Sequence, residues 1–188
     1  MNPGWAVAFL ILAAPPAAAQ DLPVHDLMNR LARIPELRAT FHEEKRLAAL
    51  DRPLESEGRL LYLRPGHLEK ITTAPRPERL VVDGETLTVS LGDEPPQVVS
   101  LEERPDLQAL VDAVRGPLSG NLAILRRHYG VRAEGRREAW RLTLQPTDPN
   151  VLRLLQSVTI EGAETAIRSI HILQANGDEQ RMTIENTP

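Results

Sequence analysis

Four short apolar-rich runs between Leu54 and Ser90, each divided from the next by its own turn chemistry, constrain this chain more than any other feature. The runs are Gly58–Leu63, His67–Thr73, Glu78–Val82 and Glu85–Ser90. Arg64-Pro65-Gly66 breaks the first pair and Ala74-Pro75-Arg76-Pro77 the second. The third break is Asp83-Gly84, between Leu80-Val81-Val82 and Thr86-Leu87-Thr88-Val89. That dipeptide signals a two-residue hairpin, whose central residues must accept φ > 0. The stretch therefore predicts an antiparallel meander.

The flanking sequence adds helices and more strands. Asp21–Ile34 sets Leu22, Leu27, Met28, Leu31 and Ile34 at helical spacing, and Pro35 ends it. Leu37–His42 then alternates, with Leu37, Ala39 and Phe41 on one face. The charged run His42–Arg46 reads as a solvated strand end, and Leu47–Pro53 as a wide hairpin loop. Gln97–Leu101 is a further strand. Pro105 suits the first position of a helix over Asp106–Arg115, which Gly116-Pro117 would stop, and Leu118–Tyr129 reads as a second helical segment. Five strands follow: Val131–Glu134, Trp140–Gln145, Leu154–Ile160, Ala166–Gln174 and Asp178–Ile184. Asp148-Pro149-Asn150 and Glu161-Gly162-Ala163 read as loops, and Asn176-Gly177 as another hairpin. The expected fold class is mainly β (α+β). One curved antiparallel sheet of ten or eleven strands forms an incomplete barrel, with about three helices as lid or plug.

The first nineteen residues stand apart from that pattern. Trp5–Leu12 is an apolar segment and Ala17-Ala18-Ala19 a small-residue cleavage site, so residues 1–19 read as a signal peptide and 20–188 as one domain. Cleavage leaves 169 residues (188 less 19) with a formal net charge of −4, since the leader carries no charged side chain. A net negative chain does not suit sequence-independent nucleic-acid binding. Only Phe41, Tyr62, Tyr129 and Trp140 remain as aromatics, too few for stacking on bases. There is no Cys, and histidines 25, 42, 67, 128 and 171 show no metal-ligand spacing, so no metal or cofactor is expected. Neither Gly-x-Ser-x-Gly nor a phosphate loop occurs, which argues against an enzyme.

Gly58, Leu60, Arg64, Pro65, Pro75, Leu80, Val81, Asp83, Gly84 and Leu87 form a pattern: a strand ending in Arg-Pro, an apolar strand, a Pro turn, then Leu-Val-x-Asp-Gly-x-x-Leu. It resembles the LolA-like periplasmic lipoprotein carriers, as does a first helix followed by Phe41 and Lys45. Where carriers of this family often have aromatic residues after Arg-Pro, this chain has Leu68 and Lys70. The resemblance implies a periplasmic, monomeric, non-enzymatic carrier. Its cargo would be an acylated lipoprotein or another lipid, received from an inner-membrane transporter and passed to an outer-membrane acceptor. It also leaves two other readings: a lipid-sensing module of the same fold, and a carrier of a non-lipoprotein acyl or polyene lipid beside an inner-membrane exporter. Outside the resemblance stands a small secreted hydrolase.

Alternation puts Gly58, Leu60, Tyr62 and Arg64 on one strand face. The candidate cavity lining is Phe41, Leu60, Tyr62, Leu68, Leu87, Val89, Leu122 and Leu125. Leu61 and Leu63 make the other face of that strand apolar too, so a one-residue slip would exchange the set. In the resembled family the Arg of Arg-Pro latches a lid, and Arg64 holds that position. Its five donors suit the carbonyls of a lid helix or loop. A latch serves a carrier because full burial of several long chains, at roughly 0.8 kcal/mol per CH₂, would make release impractical.

Overall fold

The computed structural model describes residues 22–187, and the expected signal peptide lies outside them. In chain order the elements are α1 (Val24–Leu31), β1 (Glu36–Arg46), β2 (Leu54–Leu63), β3 (His67–Ala74), β4 (Glu78–Asp83), β5 (Thr86–Leu91) and β6 (Gln97–Ser100). Then come α2 (Pro105–Ser119), α3 (Leu122–Leu125), β7 (Tyr129–Arg136), β8 (Ala139–Pro146), α4 (Pro149–Leu152), β9 (Leu155–Ala163), β10 (Ala166–Gln174) and β11 (Glu179–Asn186). All eleven strands belong to one antiparallel sheet, ordered β6-β5-β4-β3-β2-β1-β11-β10-β9-β8-β7. Each strand pairs with its sequence neighbour except at the centre, where β1 meets β11 and Phe41 lies opposite Ile184. β6 and β7 are the two free ends, so the barrel stays open.

The meander forms, with Tyr62 opposite Leu68, Leu68 opposite Val82, and Val82 opposite Leu87 across successive strands. Its hairpin turn sits one residue later than expected. Asp83 pairs with Thr86, and of the loop residues Gly84 and Glu85 only Gly84 has positive φ, 57°. Gly58 has a separate reason to be glycine. A Cβ there would lie 1.9 Å from the Ile71 carbonyl oxygen and 2.9 Å from Phe41 Cε1. Phe41 thus lies directly against the β2 backbone.

Four expected boundaries change. Gly116-Pro117 does not stop a helix: α2 runs through it and ends at Gly120 in the left-handed region, φ 69°. So close to a C-terminus, proline forfeits one backbone bond while its fixed φ still suits the helix. Gly116 serves packing, since a Cβ would sit 2.6 Å from Leu125 Cδ2. The expected second helix shrinks to the single turn α3, capped by Asn121 accepting from the Ile124 N–H at 3.2 Å, and Tyr129 opens β7. The Asp148-Pro149-Asn150 loop is the start of α4, with Asp148 accepting from the Asn150 N–H at 2.7 Å. Glu161-Gly162-Ala163 completes β9, where Gly162 makes room for the Trp140 ring.

The concave side is filled unevenly. Over β7, β8 and β9 the inward residues Leu142, Leu144, Val158 and Ile160 are fully buried, packed with Leu27 and Leu31 of α1 and Leu125 of α3 in one core. Over β2 to β5 the inward residues Tyr62 and Val82 are buried, but Leu60, Leu68 and Leu87 are only half-buried beneath α2. The difference leaves a space.

Candidate functional site

That space is a cavity of about 310 Å³ between α2 and the sheet. Spacing along α2 puts Leu107, Leu110, Val111, Val114 and Leu118 on the face that roofs it. Leu37, Leu60, Tyr62, Leu68, Leu80, Val82, Leu87, Ile167, Ile170, Met182 and Ile184 line the floor and walls. The charged residues in the lining are Glu69 and Lys70.

The sequence-predicted lining divides in two. Leu60, Tyr62, Leu68 and Leu87 come together around the cavity. Phe41 faces inward but is buried over Gly58, outside the lining. Val89 pairs with Leu80 and Gln97 towards the edge strand, also outside it. Leu122 and Leu125 belong to the packed half, where α3 closes against Gly116. Residues that sequence reasoning did not name as lining fill their places, above all the α2 face and Ile170, Met182 and Ile184 of β10 and β11.

Arg64 lies just beyond β2, exposed, and its guanidinium donates to the Ala32 and Ile34 carbonyls, the latter at 3.2 Å. These carbonyls follow the last turn of α1, which has no further helix to bond them. Ala32 in turn abuts α2: a Cβ on Gly120 would lie 2.3 Å from Ala32 Cβ and 2.8 Å from the Met28 carbonyl oxygen. Arg64 therefore grips the junction of the two helices.

A second arginine, missed in the sequence, fastens α2 to the meander. Arg115 donates from Nη1 to the Gly84 carbonyl at 2.7 Å, in the β4–β5 turn, and from Nη2 to Asp112 at 2.8 Å. Asp112 is 1% exposed, and burial raises its pKa despite the opposing pull of Arg115. Asp112 Oδ2 and Arg115 Nε are buried without a hydrogen-bond partner among the described residues. Close by, Tyr129 donates to the Ala109 carbonyl at 2.9 Å; burial, with the Asp112 charge, pushes its pKa up.

The charged run after Phe41 is not a solvated strand end. Alternation carries Glu43 inward with Leu37, Ala39 and Phe41, and Glu43 is 1% exposed. Lys70 donates to both its oxygens at 2.8 and 2.9 Å, Ser56 donates at 3.0 Å, Gln180 donates as well, and Lys45 lies 3.5 Å away. Burial raises the Glu43 pKa, but Lys70, Lys45 and Ser56 outweigh it and hold the carboxyl below its ordinary value. A depressed carboxyl contributes stability above the ordinary carboxylate range and loses it as pH falls through the lowered value. Urea unfolding across that acidic range is expected to show this loss, and Glu43→Gln to flatten it; an unchanged profile in the variant would assign the slope elsewhere.

Among the described residues no group of three or more His, Cys, Asp or Glu could hold a metal, and no helix is long and apolar enough to cross a membrane. An open antiparallel sheet with a helical lid over an apolar cavity defines a class of binding fold. Within that class the chain belongs to the outer membrane lipoprotein carrier protein LolA-like family, whose model, LolA_3, matches residues 13–187. Among solved structures it is similar to a LolA superfamily protein from Nitrosomonas europaea, with 14% identity over 87% of this chain and 92% of that one, TM-score 0.48. Lipoprotein LppX of Mycobacterium tuberculosis shares 12% identity over 88% of this chain and 96% of that one, TM-score 0.44. The MucA/MucB complex of Pseudomonas aeruginosa gives 14% over 86% and 55%, TM-score 0.45. A comparison with curated proteins finds no match.

Proposed function

We propose that this chain is a periplasmic, non-enzymatic carrier that binds acyl chains of a lipoprotein or another lipid beneath α2 and shuttles them from the inner to the outer membrane. One observation carries the reading: an almost wholly apolar cavity roofed by a single helix, which Arg115 ties to the β4–β5 turn and whose C-terminal end rests against the Ala32 segment that Arg64 holds. Family membership and the leader-like residues 1–19 support it.

The cavity is at the small end of ligand sites, which run from roughly 300 to 1,000 Å³. With α2 seated it has room for part of one chain, and larger cargo requires the helix to lift. Arg115 is the group that such a motion must release from the meander, and Arg64 holds the end of α1 against which α2 is seated. In this account Arg64 is the latch that couples cargo entry to the helix junction.

A transfer assay tests both carrier and latch. Mature protein is loaded with a fluorescent triacylated peptide and offered acceptor vesicles. Wild type is expected to take up the peptide and deliver it, whereas Arg64→Leu takes it up but slows delivery at least about tenfold, roughly 1.4 kcal/mol. No uptake by wild type would contradict the carrier, and normal delivery by the variant would remove Arg64 from the latch.

A further inference from the structure

We propose that the cavity holds a single acyl chain ending in an oxyanion, with the Lys70 ammonium as the group that anchors that end. The proposal rests on the acyl-binding reading above and adds the chemical class of the ligand.

Lys70 lines the cavity, and its side chain is 18% exposed. Its cross-strand neighbours there are Leu60 and Leu80. Two of its protons are used by Glu43 at 2.8 and 2.9 Å, and the ammonium lies 4.9 Å from the centroid of the Phe41 ring. The third proton has no hydrogen-bond partner among the described residues. With Lys45 3.5 Å from Glu43, the cluster holds two cations and one anion, a formal excess of one positive charge.

Stability does not explain such a cluster. A buried ion pair is commonly no better than apolar residues of the same volume, because desolvation consumes most of the attraction. A carboxylate or phosphate at the end of an acyl chain would accept the third proton and neutralise the excess charge. A methyl ester of the same chain fills the same cavity and leaves the charge uncompensated. Charge-assisted bonds of this kind separate the two ligands by at least about tenfold in affinity.

The test is displacement of N-phenyl-1-naphthylamine, a neutral fluorescent probe of apolar cavities, from the mature protein. Competitors are palmitate, hexadecyl phosphate and methyl palmitate, each below its aggregation threshold. Wild type is expected to favour palmitate or hexadecyl phosphate over the ester at least tenfold, and the stronger of the two identifies the oxyanion. Lys70→Met strands Glu43 without its partner, so the double variant Lys70→Met with Glu43→Gln, which removes both charges, is measured beside it. Both variants are expected to bind acid and ester alike, and Lys70→Arg to keep the preference. Equal binding of acid and ester by wild type, or a preference surviving in the double variant, overturns the oxyanion anchor while leaving acyl binding intact. Failure of all three competitors to displace the probe overturns acyl binding itself.

Discussion

Arg115→Met is expected to destabilise the fold by about 3–5 kcal/mol, as removal of one partner from a buried ion pair does. Asp112 has nowhere to send its charge: it is 1% exposed, its Oδ2 has no hydrogen-bond partner, and Arg115 is the only cation within hydrogen-bond distance of it among the described residues. The same change frees the Gly84 carbonyl, and with it the bond from α2 to the β4–β5 turn. Asp112→Asn is expected to behave differently, within about 1 kcal/mol of wild type, because it removes the burial cost of the charge and keeps an oxygen for Arg115. The deficit of Arg115→Met also has a pH signature. A carboxyl whose folded pKa is raised contributes most at low pH and loses that contribution as pH rises through the raised value. Without Arg115 the folded pKa rises further, so the gap from wild type narrows on acidification. Urea titrations of the three proteins at neutral and acidic pH measure all of this. A neutral-pH deficit below about 1 kcal/mol in Arg115→Met would mean that α2 is not held through this pair.

Leu110→Asp is expected to abolish acyl binding, with a loss of at least about a hundredfold, and to leave the fold standing. Leu110 is half-buried on the underside of α2 and faces the cavity, so truncating it removes few packed contacts from the empty protein. Once a chain fills the cavity, the same carboxylate is pressed against methylene groups and away from water, at a cost of several kcal/mol. Displacement of the fluorescent probe measures affinity, and thermal unfolding of the same sample measures stability. Unchanged affinity in Leu110→Asp would show that the ligand lies elsewhere.

The meander was legible because its turns are local. Proline and glycine dictate their own φ, and the short runs between them pair with their neighbours whatever the rest of the chain does. Alternation puts Leu60 and Tyr62 on one face of β2, and the strand pairings bring Leu68 and Leu87 to that face. Helix ends were less legible, since Gly116-Pro117 reads as a stop by composition, whereas a proline this close to the C-terminus forfeits one backbone bond and keeps a helical φ. The same holds for the lining: Leu122 and Leu125 have the pattern of a lid, but the sheet half they cover is already packed with α1. The burial of Glu43 is legible in part. The parity that buries Leu37, Ala39 and Phe41 continues to residue 43, but Glu43 opens the charged run Glu43–Arg46, whose composition points to solvent. Asp112 and Arg115 carry no such signal, because an i,i+3 pair in an amphipathic helix normally faces water.

Native mass spectrometry with lipid extraction, on mature protein purified from the periplasm of the producing cell, tests the central claim most directly. The expected result is a population carrying one acyl species that leaves on mild activation and appears in the extract. A bare protein mass, with no uptake when palmitate and a triacylated peptide are offered, would mean that the space beneath α2 serves no ligand.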